Sequence, residues 1–338
     1  MQSATTTAFP SSALRVFFFN PRGLRAGWRL FIFGGILLGI YYSFLLALGQ
    51  LQAVARQASP AGPATLPSQA QFLFPIFQGI FEFAAFAVVL LMSWVMSRME
   101  WRKVREYGLP LTQSAAPRLL AAGLLVGFLS LLVALLALRG LHAFYFGSLA
   151  LPGMQMIVWG LLWGFGFLGV AFLEEFLFRG YALYTLADGI GFWPAAVIMG
   201  LVFGRAHMGN GGETYLGIVG TILFALFASA TLRRTGSLWL AVGVHAGWDW
   251  GQSFFFGVSD SGFQAPGHLL NPSVRGPVWL SGGTVGPEGS IVTLLMLVLM
   301  TAGFLLFYRR RREPSLIAAS TESLGASQVL DAGVSARN

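Results

Sequence analysis

Long apolar runs, each almost free of charge and closed by a polar or basic stretch, succeed one another along most of the chain. They cover Gly27–Leu51, Phe72–Ser97, Leu119–Leu138, Met154–Leu173 with an amphipathic extension to Leu186, Phe192–His207, Tyr215–Leu232, Ser237–Phe256 and Ile291–Tyr308. Met154–Leu173 carries no charged residue, and about 20 apolar residues suffice for a helix to cross a hydrocarbon core roughly 30 Å thick. The pattern predicts an all-α, polytopic membrane protein with about eight transmembrane helices. It divides into a lead (1–26), a membrane domain (27–308) with its motif core at 154–256, and a basic stop and polar tail (309–338). Residues 52–71, 98–118 and 139–153 read as connections, Asp188–Gly191 as a turn and Gly209–Gly212 as a break. The Gly/Pro/Ser-rich stretch 257–290 is long for a loop and reads as a lid or cap.

Composition agrees with a membrane solvent. Of 338 residues 56% are hydrophobic and 10% charged, and mean hydropathy is +0.70. The net charge of +8 comes almost wholly from arginine at the ends of apolar runs, which reads as topology rather than nucleic-acid affinity. The lead, the 98–118 connection, Arg233 with Arg234, and Arg309–Arg312 fall on one side of an eight-span drawing; Arg56, Arg139 and Arg275 fall on the other. That asymmetry predicts both termini in the cytoplasm, with the first span as insertion signal. No cysteine is present, which excludes disulfides, thiolate metal ligands and a thiol nucleophile.

The candidate chemistry lies in polar residues that interrupt the runs. Glu174 and Glu175 end the charge-free stretch, and Arg179 follows Glu175 at i+4, the favourable order for a helical ion pair. Glu174 points about 100° away and has no local cation. Arg205 and His207 sit on the next run, and His245 and Asp249 share a face of the seventh. Glu82, alone on the second run, reads as a packing residue. A single ionisable residue in a span is often a helix–helix hydrogen-bond partner, but seven on three nearby segments point to a site. A carboxylate facing histidines in a wet cavity can deprotonate water for peptide hydrolysis, while the second histidine and its neighbour stabilise the oxyanion. Glu, His and His are also a zinc ligand set, so zinc is the alternative cofactor, but the chain has no HExxH platform.

These residues resemble the CPBP or ABI family of intramembrane proteases, which includes the CAAX prenyl endopeptidases. The EExxxR motif stands as Glu174, Glu175 and Arg179; FxxxH as Phe203 and His207; and HxxxN or HxxxD as His245 and Asp249. The resemblance covers about 170–250. It implies an intramembrane endopeptidase with Glu174 as base, His207 as its partner on the water, and His245 and position 249 on the oxyanion side. It makes Glu175 and Arg179 a structural pair and Phe203 a pocket residue. Asp249, ionised, would repel an oxyanion, so the reading here is that it orients His245. The implied partners are membrane lipid and a peptide or protein substrate, lipidated or not.

Two readings from other classes stand beside this one. A non-catalytic immunity or scaffold protein would use the polar cluster for packing; a proton-coupled transporter would use the same carboxylates, though no internal repeat is visible. An up-and-down drawing also leaves a geometric problem. Glu174 falls near one end of its helix and His207 near the opposite end of the next, about 20 Å apart along the membrane normal.

Overall fold

The computed structural model describes residues 13–20, 23–58, 71–110 and 113–308. Residues 1–12, most of the 52–71 connection, the Arg309–Arg312 run and the tail lie outside the described residues. The described residues are 74% helical and contain no closed sheet, so the chain is an all-α polytopic membrane protein. Helix α1 (Ala13–Phe18) leads through a hairpin of β1 (Phe19–Asn20) and β2 (Gly23–Leu24) into α2 (Ala26–Ala58). Then follow α3 (Leu73–Met99), α4 (Ala116–Gly140), β3 (Phe144–Leu149), α5 (Met154–Arg179) and α6 (Tyr181–Ile190). The remainder is α7 (Phe192–His207), α8 (Tyr215–Thr235), α9 (Trp239–Trp250), β4 (Leu270–Val274), α10 (Val278–Ser281) and α11 (Ile291–Phe307).

Among the described residues five segments are long and apolar enough to cross a membrane: Ala26–Gln50, Leu73–Met99, Ala116–Gly140, the Met154–Ile190 path of α5 and α6, and Tyr215–Thr235. The other three expected spans are shorter. With 16, 12 and 17 residues, α7, α9 and α11 reach only about 24, 18 and 26 Å at 1.5 Å per residue. A π-helical turn, Gly251–Phe255, continues α9. The 139–153 connection and the 257–290 loop, expected as a lid or cap, both contain a strand. The 139–153 segment supplies β3 and the 257–290 segment supplies β4, and the two pair antiparallel, Phe144 with Val274 and Leu149 with Leu270. A long insertion can thus satisfy part of its backbone against the other loop on the same face.

Glycine pairs set the closest helix contacts. A Cβ on Gly123 or Gly127 of α4 would lie 2.4 Å from Leu240 O or 2.1 Å from Val244 O of α9. A Cβ on Gly243 or Gly247 would lie 2.3 or 2.2 Å from the carbonyls of Leu120 or Leu124. The two backbones touch through a small-xxx-small face on each helix. Helices α3 and α5 approach almost as closely, since a Cβ on Gly79 would meet the Phe165 ring at 2.4 Å and one on Gly169 would meet Glu82 Cβ at 2.9 Å.

One end of the bundle is tied by charge. Arg29 at the start of α2 reaches Glu100 after α3 at 2.6 Å and Asp188 of α6 at 3.3 Å, and Arg102 reaches Asp188 at 2.8 Å. Tyr181 donates to Glu100 at 2.5 Å. Asp188 therefore serves two arginines, each of which is mostly buried. Asp188→Asn should lower stability by about 1 kcal/mol, with the loss shrinking as salt rises, measurable as a drop in the melting temperature in detergent.

Candidate functional site

The break at Gly180 does not end the fourth helical path. Beyond Glu174 the chain descends through the rest of α5 and all of α6 to Ile190, about 24 Å at helical rise, before turning. Helix α7 then climbs about 22 Å from Phe192 to His207. The two legs match, and Glu174 and His207 line one cavity of about 510 Å³. The 20 Å mismatch of the simple drawing came from placing Glu174 near the end of its helix, whereas the rest of α5 and all of α6 follow it.

The charged core of the site is a set of contacts between helices. Glu175 Oε1 accepts from Arg179 at 3.2 Å and from His245 Nδ1 at 2.9 Å. Glu175 is fully buried and Arg179 1% exposed, so this pair sits behind the cavity wall. The Arg179 guanidinium lies over the Phe203 ring at 4.3 Å, and Phe203 packs edge-on against His207 with centroids 4.5 Å apart. The Phe203 carbonyl in turn takes the Nδ1–H of His207 at 2.9 Å. A carbonyl only accepts, so Nδ1 of His207 carries the proton. Glu175, held ionic by Arg179, fixes His245 the same way.

Both histidines therefore have Nδ1 anchored, leaving Nε2 as the free nitrogen. Nε2 of His245 stands 3.7 Å from Glu174 Oε2 and 3.4 Å from Asp249 Oδ2. The sequence assigns the orienting carboxylate of His245 to Asp249; at Nδ1 the geometry has Glu175 instead, with Asp249 on the Nε2 side. Arg205 is not among the residues that line the cavity, and it is exposed at the end of α7. Phe224 of α8 closes the ring edge of His245 at 5.0 Å.

Three carboxyls that sequence reasoning left out of the site also line the cavity: Glu82, Asp260 and Glu288. Asp260 and Glu288 belong to the 257–290 segment, which also contributes Ser261 and Phe263 to the lining. The π-helical turn aims Gln252 and Ser253 at that segment. Gln252 accepts from Trp248 at 2.6 Å and donates to Ser259 O at 2.6 Å and to Glu288 at 3.3 Å. Ser253 donates to Asp260 at 3.0 Å, and the Ser261 amide donates to Glu288 at 2.5 Å. The only sequence signal for this network was the length of the loop.

Burial pushes the Asp260 carboxyl up to about 6. Burial, with the neighbouring Asp260 charge, holds Glu288 well above the ordinary glutamate value. A carboxyl whose folded pKa is raised binds more protons folded than open, so its contribution is full below the unfolded value and is lost as pH rises through the folded one. The 257–290 cap should thus loosen from about pH 4 to above pH 6. Hydrogen exchange corrected for its intrinsic pH dependence should show weaker protection there at pH 8 than at pH 5, and Asp260→Asn with Glu288→Gln should flatten the difference.

Among the described residues no three His, Cys, Asp or Glu side chains form a group that could hold a metal ion. Residues 155–251 match the family model described as Type II CAAX prenyl endopeptidase Rce1-like, a stretch that contains all three motifs. No curated protein and no solved structure matches the chain.

Proposed function

We propose that this CAAX-protease-like CPBP family protein is an endopeptidase that hydrolyses a peptide bond inside the membrane with water activated by Glu174. The observation that carries the proposal is the pair of histidines with Nδ1 anchored, on one cavity with Glu174, whose carboxylate lies 3.7 Å from Nε2 of His245. Glu174 is the base. A water between it and His207 loses a proton to the carboxylate as its oxygen adds to the peptide carbonyl. His245, when protonated at Nε2, donates to the oxyanion, and Glu175 with Asp249 flanks the imidazolium. Glu175 and Arg179 hold the imidazole in place rather than react, and Phe203 links that pair to His207. The mechanism is proposed without a metal, and a peptide or protein segment, prenylated or not, is the substrate.

The test is cleavage of a pooled peptide library, including prenylated CAAX peptides, by detergent-purified protein with and without a chelator. Cleavage that survives the chelator and disappears in a folded Glu174→Ala variant supports the mechanism. Loss with chelator and rescue by zinc would replace it with a metal site.

A further inference from the structure

We propose that Glu82 is the proton donor to the leaving amine, so that the site works with two carboxyls, Glu174 as base and Glu82 as acid. This rests on the hydrolase reading above and adds a residue that none of the three motifs contains.

Glu82 lies on a stripe of α3, Phe74, Gln78 and Glu82 at successive i, i+4 positions, that forms one wall of the cavity. Glu174 lies on the adjoining wall, on a stripe of α5 with Phe167, Val170 and Phe178. Both carboxyls line the same cavity. The tight α3–α5 crossing fixes the position, because Gly169 leaves the Cβ of Glu82 directly on the α5 backbone. Among the described residues Glu82 makes no hydrogen bond or ion pair, unlike Glu175, Asp260 or Glu288. A carboxyl in a membrane span costs free energy and is retained where it pairs or reacts. Among the described residues Glu82 has no pairing cation, and it lines the same cavity as the base.

Glu174 takes one proton from water while the water oxygen bonds to the carbonyl carbon and the π pair moves to the carbonyl oxygen. When that pair returns, the C–N bond breaks and its electrons take the proton of the Glu82 carboxyl, releasing the amine. Glu82 is left as carboxylate and recovers its proton from Glu174 through cavity water.

The role predicts a dependence on the leaving group. A peptide selected by the library screen is made with its scissile amide and again with a thioester in place of it. The amine needs a proton to leave, whereas a thiolate of pKa roughly 8.5 does not. In Glu82→Gln, kcat/KM should fall by about 100-fold or more on the amide and less than about 3-fold on the thioester. Glu174→Gln should lose both. The readout is the ratio of two rates on one preparation, so unfolded protein cancels, and Glu82→Asp should recover part of the amide rate. Equal losses on both substrates, or no loss on the amide, would overturn the assignment. An inactive wild type would instead overturn the hydrolase reading beneath it.

Discussion

Glu174→Gln should lower peptide cleavage by about 1,000-fold, within the roughly 10²–10⁴ attributed to a positioned general base, while its melting temperature stays within a few degrees of wild type. The two halves of this expectation come from different features. Glutamine keeps the shape and some hydrogen bonding of the side chain but has no basic oxygen for the water proton. Glu174 is not part of the buried pair and its side chain is 27% exposed to the cavity, so replacing it leaves no uncompensated charge. The kcat effect should dominate over KM, since the proton transfer is made only in the transition state. A protein that uses these residues for packing alone gives the reverse result: activity that tolerates the change, or a fold that does not.

Arg179→Met should be the most damaging single change to stability, by about 3–5 kcal/mol, because it strands the Glu175 carboxylate with no solvent access. The double variant Glu175→Leu with Arg179→Met should recover most of that loss, since two apolar side chains of similar size fill the space of a buried ion pair at little cost. Thermal melts in detergent test both. The double variant should nonetheless stay inactive, because Nδ1 of His245 has lost its acceptor and the ring can turn over. A folded and fully active double variant would show that the pair has no part in orienting His245.

How much of this was legible in advance depends on the range of each interaction. The helices were legible because each had to bury an unbroken apolar run, and the Glu175–Arg179 pair because i, i+4 spacing puts both side chains on one face. The contact between Glu175 and His245 was not, since it joins residues 70 positions apart and spacing reports only on neighbours along one helix. That is why Asp249, the local candidate, drew the orienting role. Glu82 looked isolated for the same reason: nothing in the sequence says that α3 packs on α5. The cap network was hidden by its composition. Glycines and prolines announce turns but not which polar side chains those turns bring together.

The glycine seam between α4 and α9 changes how a mutational survey of this protein should be read. Helix α9 carries His245 and Asp249, and its backbone position is set by Gly123, Gly127, Gly243 and Gly247 with no room for one added carbon. Random variants ranked by residual cleavage will therefore place these four glycines among the reacting groups, although none has a functional side chain. Scoring the same library a second time for membrane abundance would separate the two sets: the glycine variants should be lost from both scores, and the Glu174 variants from cleavage alone.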